Sequence, residues 1–244
     1  MAEKNEDKSL INSRHMIGSQ LSFSAAEAYK MLRTNLMFSF PADEQCHVIG
    51  VTSTYKGEGK SITSINLAYT LAEAGKRILL IEGDMRLPVI AGRLRLKSSP
   101  GLSNLMVEVN SITSAIQHKM FQQDGRNGTT PVIFDVITAG SIPPNPSELM
   151  QSERMAKLFK AVKDAYDYIV LDLPPLTVVS DALIASRFSS GLLITVRNEV
   201  ASKKGVANAV RLCNQADSKI LGFVFTDADI NKSYGKYYKK GYYK

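Results

Sequence analysis

Short apolar runs rich in β-branched residues alternate along this chain with stretches in which apolar residues recur every three or four positions. The runs predict strands over 47–53, 77–82, 134–138, 168–172, 192–197 and 220–226. Two of them, Ile78-Leu79-Leu80-Ile81 and Tyr168-Ile169-Val170-Leu171, show no polar alternation, as expected of strands covered on both faces. The helical period predicts helices over 24–38, 60–74, 146–165, 180–188 and 202–216. Strands and helices in this alternation imply an α/β fold: a doubly wound, mostly parallel sheet with crossover helices. Two helix starts carry cap chemistry: Ser24 with Glu27 as a capping box, and Asn145 as N-cap before Pro146 and Glu148. Between 98 and 131 the periodicity fades, and Gln122-Gln123-Asp124-Gly125-Arg126-Asn127-Gly128 reads as a surface loop after a short helix.

Composition narrows the class. With 244 residues, 44% of them hydrophobic, the chain can bury one ordinary core, and no second domain is required. No apolar run reaches the roughly 18 to 20 residues of a membrane span, and the start MAEKNEDKSL has no apolar signal stretch, so a soluble cytoplasmic protein is expected. Cys46 and Cys213 lie far apart without metal-ligand spacing and read as two thiols. The net charge of +7 is uneven: five lysines and no acid fall within 231–244. A nearly neutral body with a basic tail argues against a nucleic-acid partner, whose basic stripe would run through the fold. The expected organisation is a flexible segment over 1–19, a folded domain over 20–229 and a flexible tail over 230–244.

The candidate chemistry sits at strand ends. After the first strand, Thr54-Tyr55-Lys56-Gly57-Glu58-Gly59-Lys60-Ser61 opens a helix at Ile62. This resembles a Walker A loop with Thr54 in place of the first glycine. Such a turn aims backbone N–H groups at phosphates, its lysine bridges the outer phosphates and its serine hydroxyl meets Mg²⁺. The second strand ends on Glu82 and, two residues on, Asp84, at the edge where α/β sheets bind ligands. The strand over 168–172 closes on Asp172, which resembles a Walker B acid holding Mg²⁺ opposite the loop hydroxyl.

Together these motifs resemble the bacterial tyrosine kinases, the P-loop protein kinases of capsule and exopolysaccharide operons, over nearly the whole chain. Glu27-Ala28-Tyr29-Lys30-Met31-Leu32-Arg33-Thr34-Asn35-Leu36 looks like the family's E-x-x-R-x-x-R-T-N-L helix, Ile142-Pro143-Pro144-Asn145-Pro146-Ser147-Glu148-Leu149 like its P-P-N-P-x-E-L segment, and the tail like its tyrosine cluster. The resemblance implies ATP and Mg²⁺ as cofactors. Lys56, Gly57, Glu58, Gly59, Lys60, Ser61 and Ile62 would bind the nucleotide; Ser61, Asp84 and Asp172 the metal; Glu82 would take the tyrosine proton. It also implies phospho-acceptors at Tyr234, Tyr237, Tyr238, Tyr242 and Tyr243, a ring-like homo-oligomer, octameric at its fullest, with contacts through Glu27, Lys30 and Arg33, other protein substrates, and recruitment to the inner face of the cell membrane by a membrane-embedded activator of the polysaccharide co-polymerase type. The sequence departs from the family at Glu82 for aspartate, Lys56 for proline, Leu173 for threonine or serine, and Lys30 for arginine. Two alternatives stay open. A weakly active scaffold of polysaccharide machinery is one. A positioning ATPase of the Min and Par class is the other, although that class has a lysine where this chain has Tyr55.

Overall fold

The computed structural model describes residues 16–41, 44–107, 111–125 and 128–228. Seven strands form one sheet: β1 (His47–Ser53), β2 (Ile78–Glu82), β3 (Ile116–Gly125), β4 (Gly128–Ile137), β5 (Tyr168–Asp172), β6 (Gly191–Arg197) and β7 (Ile220–Thr226). Their order is β3-β4-β2-β5-β1-β6-β7, and every neighbouring pair is parallel except β3 with β4. The unbroken apolar runs do what they predict: β1, β2 and β5 are buried along their whole length. One core face holds Leu79, Ile81, Ile169 and Leu171; the opposite face holds Leu80, Val170, Ile49 and Val51.

The helices are α1 (Phe23–Ser39), α2 (Lys60–Glu73), α3 (Ile90–Leu94), α4 (Leu102–Val107), α5 (Ile112–Ala115), α6 (Pro146–Gln151), α7 (Glu153–Val162), α8 (Asp181–Ser186) and α9 (Lys203–Gln215). Three differ from the periodicity. The cap of α1 is Ser22, whose hydroxyl accepts from Ala25 N at 3.3 Å, while Ser24 lies inside the helix. The helix expected over 146–165 breaks at Ser152, which is extended (ψ 153°), ends α6 and caps α7 through a 3.3 Å bond from Met155 N. Asn145 makes no N-cap bond; its Nδ2 donates to Glu148 Oε2 at 2.5 Å instead.

The largest correction concerns 98–131. Helices α4 and α5 lead into a long antiparallel hairpin, β3 with β4, where a surface loop was expected. Phe121 packs edge-on against Tyr69 of α2 and stacks on Phe134, so aromatic contacts hold the hairpin to the helix layer. The N-terminal boundary shifts as well. Ile17 is buried in the core, Gly18 N donates to Asn66 Oδ1 at 2.9 Å and Asn66 Nδ2 to Met16 O at 3.3 Å, so 16–19 belong to the folded body.

The start of α4 is bonded to the exit of β4: Leu102 N donates to Thr138 O at 2.7 Å and Ser103 N to Ala139 O at 2.9 Å. A Cβ on Gly101 would press on the backbone of Thr138 and Gly140, neither able to move without opening those bonds. Gly101→Ala is therefore expected to destabilise the protein by about 1–3 kcal/mol, read by thermal or urea melting.

Candidate active site

The carboxyl ends of β1, β2 and β5 converge at one edge, and the chain leaving β1 builds the loop before α2. Gly57 and Gly59 have φ of 86° and 85°, in the left-handed region that a side chain disfavours. Gly59 is the N-cap of α2 and offers no side chain to the first N–H groups of the helix, so they are left for a ligand. The loop is held from behind. Glu58 is fully buried, and its Oε2 accepts from Thr54 N at 2.7 Å and Tyr55 N at 2.9 Å. Arg197 Nη1 donates to Gly57 O at 3.0 Å and Thr226 Oγ1 to Glu58 O at 3.0 Å. These bonds turn the carbonyls of Gly57 and Glu58 toward Arg197 and Thr226. Glu58 could therefore meet a phosphate only through its backbone, Lys56 stands exposed, and Ile62 packs against the core.

Asp172 is the hub. Ser61 Oγ donates to its Oδ2 at 2.7 Å, Ser64 Oγ to its Oδ1 at 3.0 Å, and Lys60 Nζ lies 3.4 Å away. The same ammonium is 2.9 Å from Asp84. Burial works against the Lys60 charge, but Asp172 and Asp84 more than offset it and hold its pKa above the ordinary lysine value. Burial pushes Asp172 upward, opposed by Lys60 and the Ser61 hydroxyl. Two buried carboxylates thus share one largely buried ammonium, an excess of negative charge that a hard cation would neutralise. Among the described residues no three His, Cys, Asp or Glu side chains come together as a metal cage. The donor set of one hydroxyl and two carboxylates suits Mg²⁺, which keeps waters and takes ligands from phosphates.

The neighbouring acid behaves otherwise. Glu82 is fully buried; Oε1 accepts from Val89 N and Ile90 N, both at 2.5 Å, and Oε2 from Ala139 N at 3.0 Å. Burial raises its pKa. Both oxygens of Glu82 are thus taken by backbone N–H groups, an arrangement unlike the open acceptor expected of a group that takes the tyrosine proton.

Sequence reasoning missed three participants. Ser64, one turn beyond Ser61 on the same helix face, was legible from spacing alone. Arg86 was not: its guanidinium pairs with Asp181 (Nε to Oδ2, 2.7 Å) and reaches Ser147 Oγ at 3.0 Å, tying the Asp84 loop to α6 and α8. Arg197 was missed also. On α1, Lys30 pairs with Glu27 at 2.9 Å on the surface, whereas Arg33 turns inward to Thr70 O at 2.7 Å and so leaves the expected contact face. Leu173 is a core residue. The tail tyrosines Tyr234, Tyr237, Tyr238, Tyr242 and Tyr243 lie outside the described residues.

A parallel sheet, a glycine loop capping a helix and a lysine facing two strand-end acids define a P-loop nucleotide-binding domain. The family model described as AAA domain matches residues 46–222. The chain is 34% identical over 216 residues to the putative tyrosine-protein kinase CapB of Staphylococcus aureus, covering 88% of this chain and 90% of that one. It is 33% identical over 218 residues to the tyrosine-protein kinase YwqD of Bacillus subtilis, covering 89% and 86%. Among solved structures it resembles the kinase domain of the Escherichia coli tyrosine kinase ETK, with TM-score 0.74, 31% identity and coverage of 84% and 78%. The septum site-determining protein MinD of Pyrococcus horikoshii, solved with Mg-ADP, shares the fold with TM-score 0.57 at 18% identity and coverage of 74% and 70%. The chain belongs to the bacterial tyrosine-protein kinases. Among the described residues no helix is long and apolar enough to cross a membrane.

Removing the shared ammonium leaves two buried carboxylates uncompensated. Lys60→Met is expected to lose about 3 kcal/mol of stability near neutral pH. Without Lys60 nothing opposes the burial that already pushes the Asp172 pKa upward, so the loss should be greatest at pH 8 and shrink toward pH 5 as Asp172 takes up a proton. Melting curves of both proteins across that range check it; an equal loss at every pH would count against the shared-charge account.

Proposed function

We propose that this kinase uses ATP and Mg²⁺ to phosphorylate the tyrosines of its own C-terminal tail, between subunits, and that it acts in capsular or exopolysaccharide synthesis. The observation that supports this most is the Lys60 ammonium held between Asp84 and Asp172 beside Ser61, at the open start of α2. Lys60 and the N–H groups of 57–62 would hold the outer phosphates, and Ser61, Asp84 and Asp172 the metal. Mg²⁺, when bound, supplies charge neutralisation at the phosphates. Phosphoryl transfer asks chiefly for positioning, so a dedicated base is dispensable.

The tail has a short way to travel. Thr226 bonds the phosphate loop and Asp227 pairs with Arg197 at 3.2 Å, so the chain leaves β7 beside a nucleotide site. Assembly is supported by exposed Phe23, Met31 and Phe38 on α1, beside the Glu27–Lys30 pair. A membrane-embedded activator remains part of the proposal, as do other protein substrates. The Min and Par reading finds less support, since Tyr55 occupies the signature position and its ring lies against Gly205, where a Cβ would collide with it.

Transfer between subunits is tested by mixing Lys60→Met full-length chain, below its melting temperature, with wild-type chain truncated after Asp229, in Mg-ATP. Intact-mass spectrometry should show phosphates added to the Lys60→Met chain; no gain, with wild-type chain modified under the same conditions, would refute transfer between subunits. Each phosphate adds about −1.5 to −2 charge at neutral pH, so three nearly cancel or reverse the five tail lysines. Light scattering at equal concentration should then show weaker self-association for phosphorylated than for unmodified protein; equal masses would remove the tail from the contact.

A further inference from the structure

Glu82 sits beside the catalytic acids without facing them. It pairs in register with Asp172, as the last residue of β2 beside the last residue of β5. Its carboxylate nonetheless turns toward β4 and α3, to Val89 N, Ile90 N and Ala139 N. Val89 is the N-cap of α3 and Ile90 its first residue, so Oε1 takes up donors that the helix itself cannot satisfy. The residues between, 83–88, carry Asp84 and Arg86. The side chain that begins this loop is therefore bonded to the backbone that ends it, while Oε2 pins the same junction to the exit of β4. Inside the closed loop Leu87 N donates to Asp84 Oδ1 at 3.1 Å, and Gly83 N donates to Asp172 O at 2.8 Å.

We propose that Glu82 is a positioning residue: a clasp that closes the loop over 82–90 and fixes Asp84 against Lys60, rather than an acceptor of the tyrosine proton. A carboxylate is what the site requires, because all three neighbours are donors and a carboxylate only accepts. Glutamine would turn an NH₂ group toward at least one backbone N–H. Aspartate, shorter by one carbon–carbon bond of about 1.5 Å, falls short of α3 and β4 together. The glutamate that departs from the family's aspartate is in this chain the length that spans the gap.

The inference rests on Asp84 binding Mg²⁺, as proposed above, and the test separates the two. Full-length wild type, Glu82→Gln and Glu82→Asp are compared by amide hydrogen exchange without ligand and by Mg²⁺ titration of tail phosphorylation. Exchange at Val89, Ile90 and Ala139 should accelerate about tenfold or more in both variants. The half-saturating Mg²⁺ concentration should rise about tenfold, with turnover largely restored at saturating Mg²⁺. Unchanged exchange with turnover lost at least a hundredfold in Glu82→Gln at every Mg²⁺ concentration, and kept in Glu82→Asp, would overturn the clasp in favour of a proton acceptor. A Glu82→Gln chain that fails to fold supports the clasp, since deleting a proton acceptor leaves folding intact; exchange is then read on Glu82→Asp. Mg²⁺-independent turnover by the wild type would refute the metal role of Asp84 and leave exchange to judge the clasp.

Discussion

The site depends on one charge arrangement: a largely buried ammonium, Lys60, shared by two buried carboxylates, Asp172 at the end of β5 and Asp84 just past the end of β2. Taking these groups from water costs several kcal/mol each, so the arrangement stands only if every remaining hydrogen-bonding position is filled. The sequence supplies those partners locally. Ser61 and Ser64 come from the turn that carries Lys60 and satisfy both oxygens of Asp172, while Leu87 N, three residues past Asp84, satisfies that acid. The parallel sheet makes the meeting possible, because Glu82 and Asp172 end their strands in register and β1 on the far side of β5 delivers the loop.

Around this centre a second layer of polar side chains bonds to backbone rather than to ligand. Glu58 gathers the start of the phosphate loop, Glu82 closes the loop that bears Asp84, and Arg86 with Asp181 and Ser147 anchors that loop to α6 and α8. Both glutamates are fully buried and ligate N–H groups that would otherwise be orphaned. Charges that look catalytic in the sequence are thus divided between those that face the crevice and those that hold its walls.

This division explains what the sequence disclosed. Strands buried on both faces announce themselves by continuous apolar runs, and the phosphate loop by its glycines and lysine, so the sheet and the positions of Lys60, Ser61, Asp84 and Asp172 were legible. The role of Glu82 was not, since its partner Ala139 comes from an exit of β4 that no local pattern links to β2. The hairpin escaped for another reason: β3 is an edge strand with His118, Met120 and Gln122 exposed, and its Gln and Lys obscure alternation. Asp124-Gly125 and Asn127-Gly128, both hairpin-turn dipeptides, were the available signal. Arg33 misled because helical spacing gives a face but not which neighbour covers it; α2 does.

The last strand joins the two halves of the proposed reaction. β7 is an edge strand, and its final residue, Thr226, bonds Glu58 O while Arg197 bridges Gly57 O and Asp227. The phosphate loop therefore owes its shape partly to the segment from which the tail departs. Tyr234 lies seven chain steps past Asp227, a reach of at most about 25 Å. That length carries a tyrosine either back toward the crevice beside its root or across to a neighbouring crevice. Chain length sets no preference between them, so in the proposed assembly the choice would fall to how subunits pack. The exposed apolar side chains of α1, which nothing among the described residues covers, give the proposed self-association a surface to bury.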